Sequence, residues 1–166
     1  SRLGTDGMIW QLAHWFPKPA RYVDHAWQAI PYLELGEFTQ DFARYQVDLT
    51  LPDSFVVVAT GEPADQATYE LRELALETTR NGSSGMPERT GIRQTWSFKA
   101  DWVPDMALAC SAAFFLQDGL ISLSDGRKAR GQVAYLASEA KRWESAMDDV
   151  DRSTRFYDQH VGPYPW

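Results

Sequence analysis

Cysteine is almost missing from this 166-residue chain: Cys110 is the only one, so no disulfide can form within it. Cys110 lies in the apolar run Ala107-Leu108-Ala109-Cys110 and has no histidine near it in sequence. It therefore reads as a small buried hydrophobe rather than a nucleophile. Histidine is scarce as well, with only His14, His25 and His160. No two of them stand four residues apart, which excludes a His-x-x-x-His zinc pair on one helical turn. Basic charge is in deficit, since 16 Lys and Arg against 23 Asp and Glu leave a net charge of −7. The basic residues are also scattered, which argues against a nucleic-acid binder. Long apolar runs are lacking too. The richest, Met106 to Leu116, falls well short of the ~20 residues that a membrane-spanning helix needs. No internal repeat or low-complexity tract is present.

What is present has the size of one ordinary domain, large enough to bury a core without staples. The clearest pattern is strict alternation from Ala43 to Leu51, with Tyr45, Val47 and Leu49 set against Arg44, Gln46, Asp48 and Thr50. That period predicts a half-buried strand. Phe55 to Thr60 is continuous and β-branched, which suits a strand buried on both faces, and Pro52-Asp53 between the two predicts an antiparallel hairpin. Met8 to Phe16 predicts a strand ended by Pro17 and Pro19. Arg21 to Glu37 reads as a long ordered loop, and Asp65 to Thr79 as a short helix in a connection. Further strands are predicted around Thr95 to Phe98, over Val103 to Cys110, over Phe114 to Leu123 with a turn at Asp118-Gly119, and at Val133 to Tyr135. Trp143, Met147, Val150, Thr154, Tyr157 and Val161 then recur at helical spacing, with Ser138 as a candidate N-cap and Gly162-Pro163 as the stop. The order predicts a mostly β fold, an antiparallel β-sandwich over 1–136, followed by one long C-terminal helix over 137–166 that opens a second domain. Both ends read as internal to a longer chain.

Three segments resemble the aminopeptidase N family of zinc metallopeptidases, its bacterial branch in particular. The first is Trp15-Phe16-Pro17-Lys18-Pro19-Ala20 with Trp27, Pro31-Tyr32-Leu33 and Gly36-Glu37-Phe38. The second runs from Tyr45 through Pro52 to Val58-Ala59-Thr60-Gly61. The third is Trp96-Ser97-Phe98-Lys99-Ala100 with Val103-Pro104-Asp105-Met106-Ala107. Gly162-Pro163-Tyr164-Pro165 is similar to the turn after the first helix of that family's catalytic domain. Two positions depart from the pattern. The family usually has Asp-Phe where this chain has Asp105-Met106, and bacterial relatives often have Gln where His14 precedes Trp15.

The resemblance implies the later part of the N-terminal β-domain and the start of the catalytic domain. Such a chain would help form the peptide cleft and would pack on its own catalytic domain. Zinc would sit in that missing domain, because H-E-x-x-H and Gly-x-Met-Glu-Asn are both absent here. The chain alone would hold no catalytic and no metal residue. The resemblance also favours a periplasmic or cell-envelope setting. Among this chain's own residues, His14 is the candidate for substrate contact, against a plain structural histidine. His25 beside Asp24 reads as a surface pair, His160 as a residue at a helix end, and Glu34, Glu37 and Asp41 as a solvated acidic loop. Trp10, Trp15 and Trp96 are predicted to lie in the core, with Trp27 and Trp102 exposed. Two rival readings carry their own signatures. A stand-alone β-sandwich binding module for carbohydrate or protein would show a flat aromatic platform. A self-contained enzyme would bring His14 and acidic residues together in a pocket.

Overall fold

A computed structural model describes residues 2–29, 31, 41–87 and 91–166. Strands β1 (Arg2–Thr5) and β2 (Trp10–Ala13) form a hairpin. The Asp6 carboxylate closes it by accepting the Met8 and Ile9 amides at 2.9 and 2.8 Å. β2 is shorter than its apolar run predicts, because His14 leaves the sheet in the left-handed region at φ 50°. Trp10, predicted as core, is 50% exposed. β3 (Arg21–Val23) and β4 (Ala26–Gln28) form a second hairpin in place of the first part of the expected loop. Its two turn residues, Asp24 and His25, both have positive φ, the requirement of a type I′ turn. Tyr22 and Trp27 face each other across the pair at 4.9 Å. The rest of the expected loop, 32–37, lies outside the described residues, and so do Glu34 and Glu37 of the acidic group.

β5 (Ala43–Pro52) realises the predicted alternation, with side chains at 45, 47 and 49 turned inward and those between them exposed. It does not pair with β6 (Val56–Ala59). Instead β5 pairs along its length with β8 (Arg93–Val103), and β8 pairs on its other edge with β7 (Glu62–Pro63). β6 crosses to the other sheet, of order β1-β2-β9-β6, where it pairs with β9 (Leu108–Ser111). The expected hairpin is thus replaced by a sandwich corner, and the apolar pattern supplies the reason. In the other sheet Val56 and Val57, on opposite faces of β6, are both buried, as their continuous β-branched run requires. Helix α1 (Gln66–Arg80), fully helical and longer than a short connection, places Ala75 and Leu76 in the same core as those valines. Its N-cap is Asp65, whose carboxylate accepts the Thr68 amide at 2.7 Å.

β10 (Phe114–Ser122) and β11 (Lys128–Leu136) make a long hairpin. Asp118-Gly119 is not a turn. Both residues are mid-strand, opposite Gln132 and Gly131. The paired glycines make room for the last helix: a Cβ on Gly131 would stand 3.0 Å from Met147 Cε and 3.1 Å from Val150 Cγ1. That helix is interrupted. Ser138 lies in a 3₁₀ turn (Ala137–Glu139), followed by the four-residue α2 (Ala140–Trp143) and then α3 (Ala146–His160). Met147, Val150 and Thr154 turn inward as the spacing predicts. At the next turn Asp158, not Tyr157, is the buried residue, and Phe156, Tyr157 and Val161 are exposed. The Asp158 carboxylate draws that turn inward, accepting the Ser124 and Tyr164 amides at 2.7 and 2.8 Å.

Strands make up 41% of the structure and helices 25%, which reverses the usual globular balance and makes the fold mostly β. One core joins both sheets, α1 and β10. Val56, Trp96 and Met106 are fully buried within it, with Leu51, Phe98, Cys110 and Leu116 around them. Among the described residues no helix is long and apolar enough to cross a membrane.

Candidate functional site

The register of the β2–β9 pair decides where His14 goes. Leu12 stands opposite Leu108, so two more residues in each direction bring His14 level with Met106, beside Asp105. Beyond His14 the chain cannot continue the ladder, because Pro17 and Pro19 have no N–H to donate. The segment Trp15-Phe16-Pro17-Lys18 instead folds over the loop 104–107 that precedes β9. His14 Nδ1 lies 2.9 Å from Asp105 Oδ2, and Lys18 Nζ 3.5 Å from Asp105 Oδ1. Asp105 Oδ1 also accepts the Met106 amide at 2.8 Å.

Lys18 Nζ approaches His14 Nδ1 as well. One ring nitrogen serves only one of these neighbours. With Asp105 ionised, Nδ1–H donates to the carboxylate and Lys18 neutralises its other oxygen. In the neutral ring that makes Nε2 the acceptor nitrogen. Aromatic rings wall the cluster. Phe16 meets Tyr45 edge-on at 5.3 Å and Trp15 at 5.9 Å, and Lys18 Nζ lies 5.3 Å above the Phe16 ring. Burial first, and the Asp105 charge second, push the Tyr45 hydroxyl above its ordinary pKa. All three polar side chains are about four-fifths covered, so their pairing is only partly screened by solvent.

The remaining predicted residues do not join this site. His25 is at the exposed β3–β4 turn. His160 Nδ1–H donates to Phe156 O (2.9 Å), and the ring stacks on the Phe156 ring at 4.3 Å. Asp41 pairs with Arg21 at 3.3 Å. Trp15 is half-buried, with its indole N–H unpartnered among the described residues, and Trp96 is fully buried. Trp27 and Trp102 are exposed, at 69% and 59%. Their neighbours are angled: Tyr22 lies at 62° to Trp27, and Tyr164 at 75° to the Trp166 whose indole donates to Trp102 O. Among the described residues no three His, Cys, Asp or Glu side chains come together as a metal ion would need.

Two features escaped sequence reasoning. Lys18 and Asp105 were visible only as members of longer segments, although a lysine between two prolines in an aromatic run is a signal of its own. The second feature is a groove of about 450 Å³ away from His14, lined by Gln66, Tyr69, Arg72, Phe98, Arg130 and Gln132. Arg72 sits on the buried stripe of α1 with Thr68, Ala75 and Leu76. A lone cation at i+4 from one inward residue and i−4 from another was the readable signal. Its side chain is 7% exposed, its Nη2 donates to Glu73 at 3.0 Å, and its Nε has no partner among the described residues. A polar group buried without a partner costs about 1–3 kcal/mol. Scans against protein-family models, curated proteins and solved structures find no match for the chain.

Proposed function

We propose that this chain is a non-catalytic β-domain of an aminopeptidase N-like zinc metallopeptidase, and that it helps form the peptide cleft beside a catalytic domain. One observation carries the reading. The three segments that bear the resemblance are remote in sequence, yet residues of each meet in one cluster: Trp15, Phe16 and Lys18 from the first, Tyr45 from the second, Pro104 and Asp105 from the third. A shared motif set that builds one place in space fits a common site better than three unrelated likenesses. His14, held by Asp105, is the residue for contact with the peptide, and its ring is positioned rather than reactive. The exposed Phe156, Tyr157 and Val161 on α3 fit a helix that packs on a following domain.

The test uses the gene's continuation past Trp166. The reading requires an H-E-x-x-H motif there. A protein that includes it should release amino acids from aminoacyl anilides, lose activity to a zinc chelator, and show a raised KM with little change in kcat for His14→Ala. The 166-residue chain alone should be inactive. Turnover by that isolated chain, or a continuation without the motif, would end the proposal.

A further inference from the structure

We infer that the groove beside α1 binds a singly charged carboxylate with a short apolar or aromatic body, anchored by the guanidinium of Arg72. This inference stands apart from the His14 cluster and from the reading of the whole domain, because it rests on different residues.

Arg72 is a buried cation with one nitrogen, Nε, unpartnered among the described residues. Three other charged groups on the groove wall are already committed. Glu62 pairs with Lys99 at 3.5 Å, Asp65 caps α1 through the Thr68 amide at 2.7 Å, and Arg130 pairs with Asp118. Arg72 is more than nine-tenths buried and shares only a half-solvated Glu73, so its Nε is left without a partner among the described residues. A guanidinium presents parallel N–H groups that match the two oxygens of a carboxylate.

The walls of the groove suit an apolar body next to a carboxylate. Tyr69 and Phe98 offer aromatic surface, and the Gln66 and Gln132 side chains supply amide groups beside it. The volume, about 450 Å³, lies in the range of small-molecule sites. The Arg72 guanidinium lies 4.7 Å from the Tyr69 ring, which is 42% exposed. A carboxylate would reach Nε with the part-exposed Tyr69 ring turned toward solvent, where the ring can still cover the ligand body.

Charge on the walls selects a monoanion. Glu62 and Asp65 also line the groove, and two carboxylates repel a dianion more than a monoanion. A phosphate group is therefore disfavoured relative to a carboxylate.

The experiment is an amide ¹H–¹⁵N titration of the whole 166-residue protein at constant ionic strength with N-acetylphenylalanine, N-acetylphenylalanine amide, acetate and inorganic phosphate. The acid should give saturable shifts at Gln66, Arg130 and Gln132. The amide should give none, acetate should bind more weakly than the aromatic acid, and phosphate more weakly still. Arg72→Lys, which keeps the charge and loses the fork, should weaken binding of the acid by about tenfold. Gln132→Ala, on the opposite wall, should weaken it severalfold in a protein whose α1 is untouched, so the test survives if Arg72 variants fail to fold. Equal shifts with acid and amide, shifts confined to other surfaces, or unchanged affinity in both variants would overturn the inference.

Discussion

Asp158 shows how one side chain can set the end of an element. It lies on α3 yet bonds to nothing on α3 by its carboxylate. Instead it accepts amides from the β10–β11 turn and from the C-terminal tail. These bonds, the Tyr164 amide first and then Ser124, hold its pKa below the ordinary carboxylate value. Because the folded value is depressed, the stabilisation is fully present above the unfolded pKa of about 4 and is lost as pH falls through the folded value. Asp158→Asn should therefore lower the urea midpoint at pH 7, and the gap from the parent protein should narrow at pH 3. A gap of the same size at both pH values would show that the charge contributes nothing. At the same scale, Trp96 is buried to 0% exposure and stacks on Phe98 at 6.3 Å and 5°, while its indole N–H finds no partner among the described residues. Apolar packing outweighs that one lost hydrogen bond, since an indole buries far more apolar surface than its single N–H costs.

Between elements, α3 rests on the β10–β11 hairpin through a contact that depends on small residues. Gly119 and Gly131 stand opposite each other, directly under Met147. A side chain on Gly131 meets three atoms within about 3 Å, of which Val150 Cγ1 and Ile121 Cδ1 belong to stiff β-branched residues. Gly119 meets only the flexible end of Met147. Gly131→Val is accordingly expected to destabilise the fold by about 1–3 kcal/mol, the usual range for overpacking. Gly119→Ala should cost much less, and Met147→Ala should recover part of the Gly131→Val loss in a double-mutant cycle. Chemical denaturation of the four proteins measures both terms, and strict additivity would show that α3 does not rest on this pair. The break at Glu144-Ser145, between α2 and α3, lets Trp143 leave the line of Met147 and stay 41% exposed.

Across the whole molecule, one core is shared by two sheets, and a group of large apolar side chains stands exposed at the end of α3. Phe156, Tyr157 and Val161 form the outer side of α3 at 55, 61 and 76% exposure. The net charge of −7 opposes self-association through that face but does not cover it. The isolated chain should enhance the fluorescence of an apolar dye, and replacing Phe156 and Val161 with Lys should remove most of the enhancement without lowering the unfolding temperature. Loss of folding in that variant would instead assign the two residues to the core.

The sequence by itself determined the local conformations that carry a strong period or a strong breaker. The alternation of β5, the helix of α1, the mostly β class and the exposure of Trp27 and Trp102 were all readable, because each depends on neighbours a few residues away. His14 was singled out by its place before Trp15 in the first segment of the resemblance, but Asp105 lies 91 positions further on, and only the β2–β9 register sets the two at 2.9 Å. The same limit explains the rest. Which sheet β6 joins, why Gly119 is mid-strand and why Arg72 is buried are decided by what packs on each residue's far side. That information is held in tertiary contacts: the local pattern marks a residue such as Arg72 but does not say what covers it.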